Sequence, residues 1–353
     1  MSSGLTAFAI AGRSIGPNEP PYVIAEMSGN HNGEIGRALE LIDAAKAAGA
    51  DAVKLQTYTA DTITIDHDGS EFRIGGGTLW DGNTLHQLYK QAQTPWEWHA
   101  ELFAYGRKLG LAVFSSPFDP TAVDFLETLD PPAFKIASFE LVDHGLIAKV
   151  AATGRPVIMS TGMASLAEIA EAVEVARNAG AQQLALLHCV SGYPTPAAEA
   201  NLATIPHLAA AFGLPTGLSD HTMGLAVPVA ATTLGAALIE KHFTLARADG
   251  GPDAAFSLEP GELAALVTET RAAHAALGRI NYDIKPSEEK SRVFRRSLYA
   301  VRDIAAGEAL TSQNVRSIRP GLGLAPKHLG AVLGRTAQRE IRRGTALAWD
   351  LLA

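Results

Sequence analysis

Apolar residues along this chain fall into two alternating textures. Short runs rich in β-branched and aromatic residues read as strands: "YVIAEM" (22–27), "DAVKLQTY" (51–58), "LAVFSSPF" (111–118), "AFKIAS" (133–138), "PVIMSTG" (156–162), "LALLHCV" (184–190), "TGLSDHT" (216–222) and "LIEKHFT" (238–244). Between them, stretches such as "GRALELIDAAKAAGA", "TAVDFLETL", "LAEIAEAVEVARNAGA" and "GLAVPVAATTLGA" carry apolar residues at helical spacing, and several close on glycine, a common helix stop. Strand then helix, repeated, predicts an α/β protein with a parallel sheet. Eight such units in roughly 250 residues predict a closed (β/α)8 barrel, a TIM barrel, in preference to an open sheet.

Two segments break the rhythm. Between the second and third units lies "TADTITIDHDGSEFRIGGGTLWDGNTLHQLYKQAQTPWEWH" (59–99), too long for a plain connection. It is expected to be a loop with a helix near the barrel mouth, and long connections of this kind carry function more often than not. Its Trp80, Trp96 and Trp98 either line an apolar wall or anchor the loop. After the charged "NYDIKPSEEKSRVFRRS" (281–297), the pattern changes to short strands and turns, with "IAAGEAL" and "IRRGTAL" reading as one hairpin-like unit used twice. The expected division is a barrel domain over 1–285, then a linker and a small β-rich domain over 286–353.

Composition narrows the function. The 353 residues, 47% of them hydrophobic, suffice for one large and one small core. A formal charge of −8 offers no basic field for a nucleic acid backbone. One cysteine, Cys189, excludes an internal disulfide framework and fits a reducing, cytoplasmic setting; in an apolar strand it reads as an inert core thiol. No basic segment precedes a sustained apolar run at the N-terminus, and no stretch approaches the roughly 20 apolar residues of a membrane span, so neither leader nor membrane partner is expected.

In a parallel barrel, reacting groups stand where strands end. Those positions hold Glu26, Lys54, Gln56, Ser115, Ser116, Lys135, Ser138, Ser160, Thr161, Ser191, Ser219, Asp220, His221, Lys241 and His242. His221 and His242 end consecutive strands, so their imidazoles are placed to share one divalent metal, Mn²⁺, Mg²⁺ or Zn²⁺, acting as a Lewis acid on a carbonyl. Lys54 and Lys135 lie inside apolar strands, where an ammonium needs an anion: Glu26, Glu140, or a phosphorylated and carboxylated ligand. A Schiff-base lysine is the competing chemistry. Glu26 reads as general base or lysine counter-ion, and His31 as a loop-ordering or substrate-bonding residue.

The stretches "AEMSGNHNG", "VKLQTY", "FSSPFD", "FKIASFE", "IMSTGM", "LLHCVSGYPTP", "GLSDHT" and "EKHFT" resemble the bacterial sialic acid synthases, and the likeness spans nearly the whole chain. That resemblance implies a TIM barrel followed by an antifreeze-like SAF domain, and the condensation of phosphoenolpyruvate with an open-chain acetamido sugar to a nine-carbon 2-keto acid. Position by position, it implies His221 and His242 as ligands of Mn²⁺, with Mg²⁺ or Co²⁺ as substitutes. It puts Lys54, Ser116, Lys135, Ser138, Ser160, Ser191 and Ser219 around phosphoenolpyruvate, Asp220 at the substrate, and Glu26 as the acid/base carboxylate. Gln56, Glu140 and Tyr193 would face the sugar. Arg319, in "IRPGLG", resembles the SAF-domain arginine that reaches the partner subunit's site in a domain-swapped homodimer. Within the family, "EMSGNHN", "SSPFD", "TPWEWH" and "ADGGPDAAFSLEP" look most like the pseudaminic acid synthases, whose sugar is 2,4-diacetamido-2,4,6-trideoxy-L-altrose. N-acetylneuraminate and legionaminate synthases are the alternatives inside the family. A Schiff-base aldolase, a heptulosonate-type synthase and a non-catalytic carbohydrate-binding protein are those outside it.

Overall fold

Each of the eight apolar runs forms a strand in the computed structural model, which describes residues 8–353. They are β1 (Tyr22–Glu26), β2 (Ala52–Thr57), β3 (Ala112–Pro117), β4 (Phe134–Ile136), β5 (Val157–Ser160), β6 (Leu184–Cys189), β7 (Thr216–Asp220) and β8 (Leu238–His242). Neighbours in sequence are neighbours in a closed parallel barrel, and β8 returns to β1 with Leu238 opposite Tyr22 and His242 opposite Glu26. The first seven residues, which begin the stretch read for a leader, lie outside the described residues. Among the described residues no helix is long and apolar enough to cross a membrane.

Strand alternation sorts every side chain to one of two environments. One parity, including Val23, Val53, Val113, Phe134, Ile136, Val157 and Leu218, packs outward against the helices. The other fills the barrel: Tyr22, Ile24, Ala52, Phe114, Ile158, Ala185, Leu187 and Leu238, plugged below by Phe8, Ile10 and Ile15 of the N-terminal hairpin Phe8–Ile10 and Arg13–Ile15. The apolar fill stops one layer short of the C-terminal strand ends. Continuing the same parity upward gives Glu26, Lys54, Ser116, Lys135, Ser160, Cys189, Ser219, Glu240 and His242. Gly217 shows how tight the wall is, since a Cβ there would lie 2.3 Å from the carbonyl oxygen of Leu238 and 2.8 Å from a Leu187 methyl.

The long connection between β2 and β3 carries the helices Ala60–Ile63 and Leu85–Ala92, the second closed by a reciprocal capping box between Thr84 and Gln87. Two buried histidines fasten it. His99 Nε2 meets Thr57 Oγ1 at 2.8 Å, and Thr57 meets Ser115 Oγ at 2.6 Å; His31 Nε2 meets Thr94 Oγ1 at 3.2 Å. Trp96 stacks on Phe125 with ring centres 4.8 Å apart, and Trp98 lies edge-on to His31. Those two tryptophans anchor the loop; only Trp80 goes to the mouth.

The chain divides into two compact units after Gly278. In the second, β9 (Ser297–Ala300) pairs antiparallel with β10 (Val315–Ile318). The two copies of the repeated heptapeptide bond to each other, Ile304 N to Ile341 O at 2.8 Å and Ile341 N to Ile304 O at 2.9 Å, with Leu310 and Leu347 in the same small core. Gly307 and Gly344 occupy equivalent left-handed positions, φ 79° and 86°, where a side chain would be strained.

Burial lowers His31 and His99 to about 4, from an ordinary imidazole value near 6.5. Such a group binds fewer protons folded than unfolded, so its contribution is complete above about pH 6.5 and is lost as pH falls toward about 4. Each histidine accounts for a loss of order 3 kcal/mol across that window. Urea unfolding followed from about pH 7 to about pH 4.5 is expected to show falling stability, with a shallower fall in His99→Gln. An acid-insensitive midpoint would count against this account.

Candidate active site

The polar layer over the apolar barrel fill holds four buried charges. Lys54 Nζ lies 2.6 Å from Glu26 Oε2 and 3.9 Å from Glu240 Oε1, while Lys135 Nζ lies 3.8 Å from the same Glu240 oxygen. Glu240 thus stands between two ammoniums, and Ser219 Oγ donates to it at 3.1 Å. Burial alone would raise its carboxyl, but Lys135, Lys54 and the Ser219 hydroxyl override that and hold it below the ordinary carboxylate range. Glu26 goes the other way. Burial, with the nearby Glu240 charge, raises it to about 7 against the pull of Lys54 and the Gln56 amide, which donates at 2.9 Å. Two carboxylates in one site have been driven apart, one kept ionised and one set near neutrality.

Lys54 is well compensated: burial works to lower it, yet Glu240 and Glu26 raise it above its ordinary value, and it also donates to Ser116 Oγ at 3.3 Å. Lys135 is not. Burial lowers it, its one ion-pair partner among the described residues is Glu240 at 3.8 Å, and it donates to the Ile136 carbonyl at 3.1 Å. Ser160 Oγ and Ser191 Oγ are buried without a partner, and Ser138 Oγ is spent only on the Cys189 sulfur at 3.3 Å. Gly162 lets these hydroxyls close up, since a Cβ there would sit 2.5 Å from Ser138 Cβ and 3.2 Å from Ser191 Oγ. Unused hydroxyls and an under-compensated ammonium make an anion site. A cleft of about 900 Å³ beside it is lined by Gly162, Cys189 and Ser191 together with His188 and His207.

The two histidines meet as expected. Their ring centres are 5.3 Å apart, and Tyr193 lies over His221 at 4.3 Å and 6.4 Å from His242. His221 Nδ1 is held at 2.9 Å by the Val190 carbonyl, which leaves Nε2 as the free lone pair. Burial, then His221 and the lysines, keeps His242 neutral, well below its ordinary value, and its Nδ1 is buried with no hydrogen-bond partner. Among the described residues no cluster of three or more His, Cys, Asp or Glu could hold a metal. Two close imidazoles, His242 held neutral and each ring keeping an unspent nitrogen, fit a divalent ion whose other positions would be filled by substrate and water.

Not every expected residue joins the site. Asp220 is the correction: Lys241 Nζ holds its Oδ2 at 2.5 Å, Thr222 Oγ1 donates to that oxygen at 3.2 Å, and Thr222 N donates to Oδ1 at 2.9 Å. Asp220 and Lys241 are register partners on the parity opposite to Ser219 and Glu240, so they form a buried ion pair of the barrel wall. Glu140 is no partner of Lys135; its Oε2 is buried and unpaired, and burial raises it to about 7. Arg319 follows β10 in the second unit, with its side chain exposed.

Three residues of the site escaped the sequence reading. Glu240 was legible, because an inward His242 puts 240 inward and 241 outward. Cys189 points into the barrel by the same parity, with its sulfur 3.9 Å from His221 Nδ1. Asp253 had no such signal. It lies in the connection after β8, accepts from Ser28 Oγ at 2.5 Å, and comes within 3.9 Å of His242 Nδ1.

Known proteins resemble this chain over most of its length. The NeuB family model matches residues 41–282 and the SAF domain model residues 295–353. The chain is 45% identical to the pseudaminic acid synthase of Helicobacter pylori, over 94% of this chain and 98% of that protein. It is 44% identical to that of Campylobacter jejuni, over 92% and 95%. Among solved structures, the N-acetylneuraminic acid synthetase of Leptospira borgpetersenii in complex with citrate superposes with a TM-score of 0.72 at 33% identity, covering 81% of this chain and 94% of that one. An eight-stranded parallel barrel with this polar layer, matched over most of its length, makes the chain a member of the NeuB family with a SAF domain at its C-terminal end.

Proposed function

We propose that this protein is a pseudaminic acid synthase, a transferase that condenses phosphoenolpyruvate with 2,4-diacetamido-2,4,6-trideoxy-L-altrose and releases phosphate. The observation that carries the reading is Lys135, a buried cation without a full counter-charge, set among unpaired serine hydroxyls and next to a facing histidine pair. The likeness to the two pseudaminic acid synthases supports the choice of sugar.

Lys54 and Lys135, with Ser116, Ser138, Ser160 and Ser191, bind the phosphate and carboxylate of phosphoenolpyruvate. His221 and His242 would hold a divalent cation, Mn²⁺ foremost with Mg²⁺ or Co²⁺ as substitutes, which when bound polarises the sugar aldehyde as a Lewis acid. C3 of phosphoenolpyruvate attacks the aldehyde carbon: the C2–C3 π pair becomes the carbon–carbon bond, the carbonyl π pair moves to the aldehyde oxygen, which takes up a proton, and C2 is left electron-deficient. Water then adds at C2, and Glu26, set near neutrality, accepts its proton. The tetrahedral centre at C2 expels phosphate by C–O cleavage and leaves the 2-keto acid. Fixed cations at the phosphate carry much of the stabilisation, because the barrel orders them before the reaction begins. The assembly that accompanies this reading is a domain-swapped homodimer, with Arg319 serving the partner's barrel.

Phosphate release from phosphoenolpyruvate with Mn²⁺ tests the proposal, with the diacetamido-trideoxy-altrose and N-acetylmannosamine offered in parallel. Release is expected with the altrose and is expected to stop on adding EDTA. Release with N-acetylmannosamine alone would overturn the choice of sugar, and turnover unaffected by chelation would overturn the metal. His242→Ala is expected to lose at least about a hundredfold in kcat while retaining its thermal transition.

Glu240→Gln removes the charge shared by both lysines. Lys135, already lowered by burial, then deprotonates more readily, so activity is expected to fall as pH rises and to do so at lower pH than in the parent enzyme. The pH profile of kcat/KM for phosphoenolpyruvate reads this directly; an unchanged alkaline limb would remove Glu240 from its assigned role.

A further inference from the structure

The long connection holds one feature that the chemistry above leaves unused. Residues 73–84 leave it as a hairpin-like excursion, with Arg73 bridged to Thr84 and Ile74 N bonded to Asn83 O at 2.9 Å. At its tip the Asp81 carboxylate accepts from the backbone of Gly77 and Thr78, each at 2.9 Å. The side chains of Thr78 and Leu79 are exposed, but Trp80 turns inward and is half-buried. Its Nε1 donates to the Pro252 carbonyl at 2.7 Å, next to Asp253, and its ring lies 5.8 Å from that of Tyr193, which covers His221.

We infer that Trp80 selects the sugar, its indole forming the wall against which the deoxygenated, acetamido-bearing end of the substrate packs. The inference rests on the function proposed above. An open-chain sugar whose aldehyde meets the histidine pair extends its far carbons away from them, and Trp80 stands two rings out from His221. The only polar atom of the indole is spent on Pro252, so what it presents is hydrocarbon. A methyl at the sixth carbon and an acetamido methyl at the fourth suit that surface, whereas a hydroxyl at the sixth carbon would be desolvated there without a partner. Apolar surfaces reject an added hydroxyl by at most about a hundredfold, which sets the scale of the selectivity expected from this residue.

Steady-state kinetics of the full chain with Mn²⁺ separate a wall from a tether. Trp80→Phe keeps an aromatic face and loses the bond to Pro252; Trp80→Ala loses both. Expected for Trp80→Ala is about a tenfold rise in KM for the diacetamido-trideoxy sugar. Its KM for phosphoenolpyruvate and its kcat are expected to stay close to the parent's, and its preference over N-acetylmannosamine to shrink. Trp80→Phe is expected to keep most of the preference. Equal losses in the two variants, or a parallel rise in KM for both substrates, would make Trp80 a tether and overturn the inference; so would an Ala variant indistinguishable from the parent. The parent's own choice of sugar judges the proposed function separately. If the parent prefers N-acetylmannosamine, that function falls while the split between the two KM values still decides Trp80; turnover of neither sugar by the parent would sink both.

Discussion

Two ammonium groups buried in the mouth of a barrel are the constraint around which this protein is built. Removing such groups from water costs several kcal/mol each unless an anion answers them. Glu240 answers both at once, from the strand that closes the barrel, and Glu26 answers Lys54 at closer range. With two lysines and two carboxylates the layer balances in number but not in place. Lys135 is left short of negative charge, and Glu26 is raised toward neutrality by burial and by its neighbour. An incoming phosphate and carboxylate relieve the first, and a proton taken from water suits the second, so ligand binding and proton transfer both follow from one electrostatic imbalance.

The barrel makes that imbalance tolerable. Its lower interior is filled by apolar side chains and plugged by the N-terminal hairpin, and its wall is packed tightly enough that Gly217 admits no side chain. Charges held on such strands keep their spacing when substrate arrives, which is what electrostatic preorganisation requires. The connections have the opposite task, to bring selectivity to a fixed site. The longest is pinned by His31 and His99, kept neutral by burial, and by Trp96 and Trp98, which leaves Trp80 free to reach the mouth. Anchoring by buried neutral imidazoles also makes the loop sensitive to acid, through groups that take no part in the reaction.

Period-two and period-3.6 patterns in the sequence determined the eight strands, the helices between them, the barrel and the repeated unit of the small domain, because each reflects a local alternation between core and solvent. The same alternation determined that Lys54, Lys135, Ser116, Ser160, Ser219 and the two histidines share one mouth, and it was sufficient to place Glu240 there too. Tertiary structure alone decided the rest. Asp220 looked like its neighbours Ser219 and His221; alternation turns it to the other face, but its ion pair with Lys241 is set by strand register between residues 21 positions apart. Asp253 and Trp80 sit in connections without periodicity, and the approach of each to the site depends on how a loop returns to the barrel. The shift of Glu26 against Glu240 is decided by distances between residues far apart in the chain. Local pattern encodes which face a residue takes; the field it then feels is a sum over the whole fold.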